Sequence, residues 1–308
     1  MLPPPTSMAL GRRYGGPNGY GHQPDPEDHQ RTHVRVMFAR EGIDHTLTPA
    51  AASNRDCGPG VFDQGAGDAG TSSCTGHAVS GSVSTTLKKQ GTPLSAPPSQ
   101  DEIYKIGRCI DRHPGPNGKR PALEDVGAMP NQVMRGLTEF GARPMRGRAP
   151  DGRYSDADPA TINDEPDLEE LEDDAECKLD GQYAIPSSDP HFIDLVRAAI
   201  AAGYCVCFAI FVDTVGPRSV EGWDPSTGPL SAPATPGDRA GGPHYVYADG
   251  YRTTPAAKTI IEWVNSWGTN WGLAGYGEGD EAFMRGWSNV VVMKVRRVTP
   301  PTPAAAAA

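Results

Sequence analysis

Apolar residues recur at helical spacing in three places along the chain. Ala78, Val79, Val83 and Leu87 fall on one side of a helix over Cys74–Gln90. Lys88 and Lys89 suit its C-terminal end, and Gly91 its stop. Its Ser, Thr and Gly content is poor for helix formation, so tertiary burial has to hold it. Val133, Leu137 and Phe140 mark a second helix over Met129–Phe140, ended by Gly141. Phe192, Leu195, Val196 and Ile200 mark a third over His191–Ala202, ended by Gly203. Then the texture changes. Tyr204–Val212 is a continuous apolar, β-branched and aromatic run, the pattern of a buried strand. Further strands are predicted over His244–Tyr251, Thr259–Trp267, Ala282–Gly286 and Val290–Arg296. A weak alternation over His33–Phe38 predicts one more, short strand. The stretches 40–60, 92–123 (around the apolar patch Ile103–Ile110), 144–188 and 213–243 read as loop. Helices in the first half and strands in the second predict an α+β fold of two lobes with a cleft between them.

Composition supports that reading and narrows the function classes. At 308 residues the chain is long enough for one large domain or two packed lobes. Gly (37) and Pro (31) exceed a fifth of it, which fits long irregular connections and not a helical bundle. The net charge of −10 argues against nucleic acid as a partner, because that binding rests on Lys and Arg neutralising phosphates. No run approaches a membrane-spanning length of apolar residues. Met1–Tyr14 has no apolar core of signal-peptide length, so the protein is expected in the cytoplasm, with export by another route left open. Residues 1–54 are expected to form an extended arm and residues 299–308 a disordered Pro/Ala tail. Asp164–Glu176 is heavily acidic and reads as a solvated loop, or as a rim that favours basic substrates.

Six cysteines do not imply a disulfide framework in a chain of this length without a visible signal peptide. Cys205 and Cys207 flank Val206 and share one strand face, as small buried hydrophobes would. A Cys-x-Cys metal half-site has no second half at ligand spacing, so no metal and no cofactor are expected. Cys74 is different. It follows a run of small residues, with Gly65, Gly67 and Gly70 allowing close backbone approach. Ser72 or Ser73 is placed to cap the helix that begins there. A thiol at a helix N-terminus sits in a field that favours the thiolate, the nucleophilic form. Such a nucleophile needs a base and a group to orient that base. His244 opens a strand after Gly241-Gly242-Pro243, and Asn265 ends the next strand before a Gly-rich turn. Alone, each residue is ordinary; His77, three positions after Cys74, is a competing base.

The combination resembles the papain-like cysteine peptidases. Asn265 to Gly277, Asn-Ser-Trp-Gly-Thr-Asn-Trp-Gly-Leu-Ala-Gly-Tyr-Gly, is similar to that family's Asn-Ser-Trp-Gly signature almost throughout. Gln64-Gly65 with Ser73-Cys74 and Ala78 resembles its cysteine segment in a looser form, and His244-Tyr245-Val246 with Gly250-Tyr251 resembles its histidine strand. Pro24-Asp25-Pro26 is similar to bacterial members that lack a classical propeptide. The resemblance spans residues 55–298 and implies a helical lobe (55–200) carrying the Cys and an antiparallel, barrel-like β lobe (204–298) carrying His and Asn. It implies Cys74 as nucleophile, His244 as base and then acid, Asn265 as orienter of the His ring, and Gln64 as oxyanion donor. Trp267 would shield the Asn–His bond. The implied reaction is hydrolysis of a peptide or protein substrate through a thiolate–imidazolium pair and an acyl-enzyme, by a monomer. An inactive relative that only binds, and an acyl transferase or transamidase, are the alternatives.

Two departures matter. The family spaces Gln and Cys six positions apart, whereas here the interval is ten (74 − 64). Either four residues bulge out and Gln64 keeps its place, or Asp68 takes the oxyanion position, where an ionised carboxylate would repel the developing charge. The family's aromatic after the cysteine is Thr75 here.

Overall fold

The structure, a computed structural model, describes residues 31–65, 70–110, 112, 120–212, 228–231 and 242–299. The elements, in chain order, are β1 (Thr32–His33), α1 (Val34–Glu41), β2 (Ala51–Ser53), α2 (Cys74–Lys89), α3 (Gln100–Cys109), α4 (Pro130–Glu139), α5 (Leu168–Asp173), β3 (Cys177–Ala184), α6 (Phe192–Ala201), β4 (Val206–Val212), β5 (Gly242–Thr253), β6 (Thr259–Val264), β7 (Tyr276–Asp280), α7 (Glu281–Met284) and β8 (Ser288–Arg297). The strands form one mixed sheet in the order β1-β3-β8-β4-β5-β6-β7, with β2 added on β5. The described pairings are antiparallel except β1 on β3. The α+β class is as expected, but the strand path is open: among the described residues no pairing joins β1 to β7, so the β lobe is not a closed barrel.

Two cores lie on opposite faces of this sheet. Along β4 the residues alternate: Val206, Phe208, Ile210 and Val212 face one core, while Cys205, Cys207 and Ala209 face the other. The first core holds α1, α6 and a group of aromatics, with Phe208 stacked on Trp287 at 3.6 Å. The second is packed by α2, α3 and α4. Cys205 and Cys207 sit in it as free, buried thiols.

α2 forms despite its poor composition because burial supplies what propensity lacks. Val79, Val83 and Leu87 are almost completely enclosed, each contributing about 1.5–3 kcal/mol. Its hydroxyls are answered: Ser80 donates to the Pro98 carbonyl at 2.6 Å and Thr85 to the Gly81 carbonyl at 2.7 Å. Glycines let its neighbours close in. A Cβ at Gly76 would lie 2.3 Å from the Gln100 carbonyl oxygen, and one at Gly81 2.4 Å from the Tyr247 ring.

Several expectations are corrected. His33–Phe38 is not a strand: after β1 the chain turns into α1, with the His33 ring accepting from the Arg35 N–H at 3.2 Å. β1, α1 and β2 lie inside the stretch expected as an arm, and they pack on the sheet. The patch at Ile103–Ile110 belongs to α3, which Ser99 caps by accepting from Glu102 N–H. Ser73 stands at the N-cap of α2 but makes no side-chain cap bond. The run Ala282–Gly286 carries the short helix α7, because Asp280 accepts from the N–H groups of Ala282 and Phe283. Part of 144–188 is ordered as α5 and β3, the latter paired with β8. The acidic run is tied down rather than simply solvated: Glu170 pairs with Arg143 and Arg146, Asp174 with Arg146, Glu172 with Lys178 and Glu165 with Arg112. The expected arm over residues 1–30, the tail from 300 and most of 213–241 lie outside the described residues.

Candidate active site

α2 delivers Cys74 as its first residue, and β5 delivers His244 near its start. The strand's alternation splits their surroundings. Tyr245 and Tyr247 face α2, while Val246 and Ala248 face the opposite core. Tyr245, next to His244, and Cys74 belong to the same buried cluster between α2 and β5. Cys74 and His244 are both fully buried.

Asn265 follows β6, where its N–H donates to the Gly275 carbonyl at 3.0 Å. Its Oδ1 accepts from the Ser266 N–H at 2.8 Å and meets His244 Nε2 at 2.7 Å. The Ser266 bond identifies that atom as the oxygen, so His244 Nε2 carries a proton and donates. In the neutral ring, Nδ1 is therefore the basic nitrogen. Trp267 stacks on the imidazole at 4.7 Å between centroids and 26° between planes, and Trp271 packs edge-on against Trp267 at 5.5 Å. The indole thus covers the face of the ring that Asn265 orients.

Gln64 is held from both sides. Its Oε1 accepts from Ser266 Oγ at 2.6 Å, and its Nε2 donates to the Thr71 carbonyl at 2.9 Å. The Thr71 N–H returns a bond to the Gln64 carbonyl at 3.0 Å, so the stretch between them is closed at its base. The Gln64 amide therefore sits against the Asn265–Trp267 segment, with a second Nε2 hydrogen left to donate. The rival oxyanion candidate, Asp68, lies outside the described residues.

His77 occupies a different setting. Its Nδ1 lies 2.8 Å from the Ser73 carbonyl and its Nε2 2.8 Å from Ser155 Oγ. The carbonyl accepts only, so Nδ1 donates and Nε2 receives the serine hydroxyl. Burial lowers the ring to about 4, and the nearby charges of Arg153 and His244 push the same way. His77 is a neutral strut between the start of α2 and Ser155.

Three contributors had no sequence signal. Asp125 accepts the Ser72 N–H at 2.9 and 3.0 Å and the Tyr104 hydroxyl at 2.7 Å, fixing the turn before Cys74. Burial raises its carboxyl while these donors oppose the shift. Ser155 and Tyr104 come from segments remote in sequence, so only the folded chain brings them to the site. Thr75 donates to the Ala128 carbonyl at 3.3 Å. A cavity of about 10 Å³, room for about one water, lies in the seam between His77, Ala78, Tyr245 and Asn265.

Burial pushes the Cys74 thiol up to about 12, with the Tyr245 N–H and Thr75 pulling in the other direction. Among the described residues no cluster of His, Cys, Asp or Glu has metal-binding geometry, and no helix is long and apolar enough to cross a membrane.

By sequence the chain matches no described protein family and no curated protein. Among solved structures it is similar to xylellain, a cysteine protease from Xylella fastidiosa, at 22% identity over 92% of this chain and 97% of that one, with a TM-score of 0.62. It is also similar to digestive procathepsin L2 proteinase from the larval midgut of Tenebrio molitor, at 17% identity over 95% and 81%, TM-score 0.59. A third is the bromelain protease of Ananas comosus in complex with the E64 inhibitor, at 16% identity over 81% and 98%, TM-score 0.50. At these identities the likeness concerns architecture, and the architecture is that of the papain-like cysteine proteases.

Proposed function

We propose that the protein is a cysteine peptidase in which Cys74 attacks, His244 transfers protons and Asn265 holds the His244 ring. One observation carries this reading. The His244–Asn265 bond of 2.7 Å lies under Trp267, at the start of a strand that packs against α2, the helix that Cys74 begins. The sequence neighbour His77, with both ring nitrogens occupied, cannot serve as the base.

The steps follow from the groups. The Cys74 proton passes to His244 Nδ1, and the thiolate forms a bond to the carbonyl carbon of the substrate. The resulting oxyanion is met by the Cys74 N–H at the start of α2 and by the second hydrogen of Gln64 Nε2. His244 returns its proton to the leaving amine as the C–N bond breaks. It then takes a proton from water, whose oxygen attacks the acyl carbon and releases the thiolate. Cys74 and His244 thereby act as a thiolate–imidazolium pair. It forms when the proton moves to a ring that Asn265 and Trp267 already hold in place.

A second reading, a binding protein without turnover, is favoured by the full burial of Cys74. Intact-protein mass spectrometry after brief exposure to a low concentration of a peptide epoxide at neutral pH separates the two. A single adduct, absent in Cys74→Ala and slower in Gln64→Ala, supports the peptidase. If Cys74 stays unmodified while the denatured chain reacts at all its cysteines, the binding reading replaces it. Labelled protein leads on to product analysis with an added amine, which distinguishes hydrolysis from acyl transfer.

A further inference from the structure

A cavity of about 410 Å³ opens beside α3, lined among others by Arg108, Arg112, Leu123, Val126, Met129 and Gln132. Its size suits one or two side chains. Its wall is joined directly to the turn that carries Cys74. Asp125 accepts the Ser72 N–H, Gly127 N–H donates to Tyr104 Oη at 2.9 Å, and the Ala128 carbonyl accepts from Thr75. The cavity therefore borders the segment 125–128 that is bonded to the start of α2.

The two cations in it are not equivalent. Arg108 has both terminal nitrogens engaged, though its Nε is buried without a hydrogen-bond partner: Nη1 donates to the Glu124 carbonyl at 2.7 Å and to Asn163 Oδ1 at 2.9 Å, Nη2 donates to the Ile162 carbonyl, and the group rests 4.0 Å over the Tyr104 ring. Arg112 is different. Its side chain is only 10% exposed, yet Nη2 pairs with Glu165 while Nε and Nη1 are buried without a hydrogen-bond partner among the described residues. A guanidinium cannot shed its proton to relieve this, so the buried donors call for an acceptor. Its ion-pair partner Glu165 is 58% exposed, and Glu124 is an acidic group in the cavity lining. Apolar Leu123, Val126 and Met129 complete a site that would enclose a short aliphatic stem and present a cation at its end.

We infer that this cavity is a side-chain subsite for a carboxylate, so that the chain selects peptides bearing Glu or Asp within a few residues of the scissile bond. The inference rests on the peptidase reading for its connection to turnover. It runs opposite to the preference for basic substrates that the acidic run suggests; Glu165, Glu170, Glu172 and Asp174 of that run are taken up in ion pairs.

The test uses the full chain and peptide pairs that differ only in Glu against Gln at each position flanking the cleaved bond, all with amidated C-termini. The expected result is a kcat/KM ratio of about ten in favour of Glu at one position, the scale of one charge-assisted hydrogen bond. That ratio should collapse toward one in Arg112→Gln and survive in part in Arg112→Lys. Equal turnover of Glu and Gln peptides by the wild-type chain at every position overturns the inference, as does a ratio that persists in a folded Arg112→Gln protein. Binding to Cys74→Ala, followed by fluorescence anisotropy of the same labelled pairs, reads the cavity without chemistry. If no peptide is cleaved but Glu peptides still bind about tenfold tighter, the peptidase reading fails and the subsite stands. If the pairs bind equally and are cleaved normally, the subsite fails and the peptidase reading stands. A preference confined to peptides with a free C-terminal acid, tested in parallel, reassigns the cation to a terminal carboxylate and overturns the side-chain subsite.

Discussion

Two buried histidines, one on the helix that Cys74 begins and one on the strand packed against that helix, differ in what surrounds them. His77 is nearer in sequence, on the same helix as Cys74, with a carbonyl at one nitrogen and a hydroxyl at the other. His244 is 170 residues from Cys74 (244 − 74), with one nitrogen fixed by Asn265 and its face covered by Trp267. A ring with both nitrogens bound to fixed partners ties two segments together and does no more. A ring pinned through one nitrogen and one face keeps the other nitrogen aimed. Proximity along the chain is therefore no guide to which histidine moves a proton.

The contrast between the two rings is sharpest at His244. His244→Ala should lower kcat/KM on a fluorogenic peptide by about 10³–10⁴ while the melting temperature changes little. A loss under tenfold would hand the role of base to another group. His77→Asn should do the reverse: most of the activity survives, while stability drops by about 2–3 kcal/mol in a denaturant titration, from lost hydrogen bonds and a cavity at the start of α2.

The same residue gives a pH signature with a defined sign. Its folded value of about 4 lies below its ordinary one, so the unfolded chain binds the extra proton between those limits. Stability contributed by neutral His77 is present above about pH 6.5 and is lost as pH falls toward 4. His77→Asn should flatten that acid limb of a melting-temperature profile.

Asn265→Ala should cost about tenfold to a hundredfold in kcat/KM, less than His244→Ala, because Trp267 still covers the ring. An equal loss would mean that the stack orients nothing by itself.

The smallest effect concerns a third buried group, Asp249, whose carboxyl is pushed up to about 7 by burial. Here the folded chain holds the extra proton, so stability falls as pH rises from about 4 to 7 and beyond. Asp249→Asn should gain on the order of 1 kcal/mol above pH 7 and little near pH 4, a net figure because the amide also needs partners. Calorimetry across pH would show the two limbs, from His77 and Asp249, sloping in opposite directions.

Legibility followed the source of each element's stability. α2, α4, α6, β4 and β8 announce themselves because their buried faces repeat along their own sequence. α3 hides behind Pro97 and Pro98, and its close packing on α4 works through Gly107 and Gly136, where a Cβ would strike Val133 at 2.3 Å and Ile106 at 1.9 Å. β3 has little alternation of its own; it is a strand because β8 and β1 flank it. β7 is Gly-rich for the same kind of reason, since a Cβ at Gly277 would lie 2.2 Å from the Trp263 ring. At the candidate site, the groups seen to meet, His244 with Asn265 and Trp267 and Gln64 with Ser266, were named from the resemblance in the sequence. Asp125, Tyr104 and Ser155 were not, because what makes them matter is which backbone they reach after folding.

The mutual bonds between Gln64 and Thr71 give the chain a freedom of another kind. A loop tied at its neck transmits neither its length nor its composition to what lies below the knot, and closure entropy grows only slowly with added residues. Insertion, deletion or wholesale exchange between Gly65 and Gly70 can then proceed by mutation, or by grafting a tag, without a matching change in the Ser266 contact.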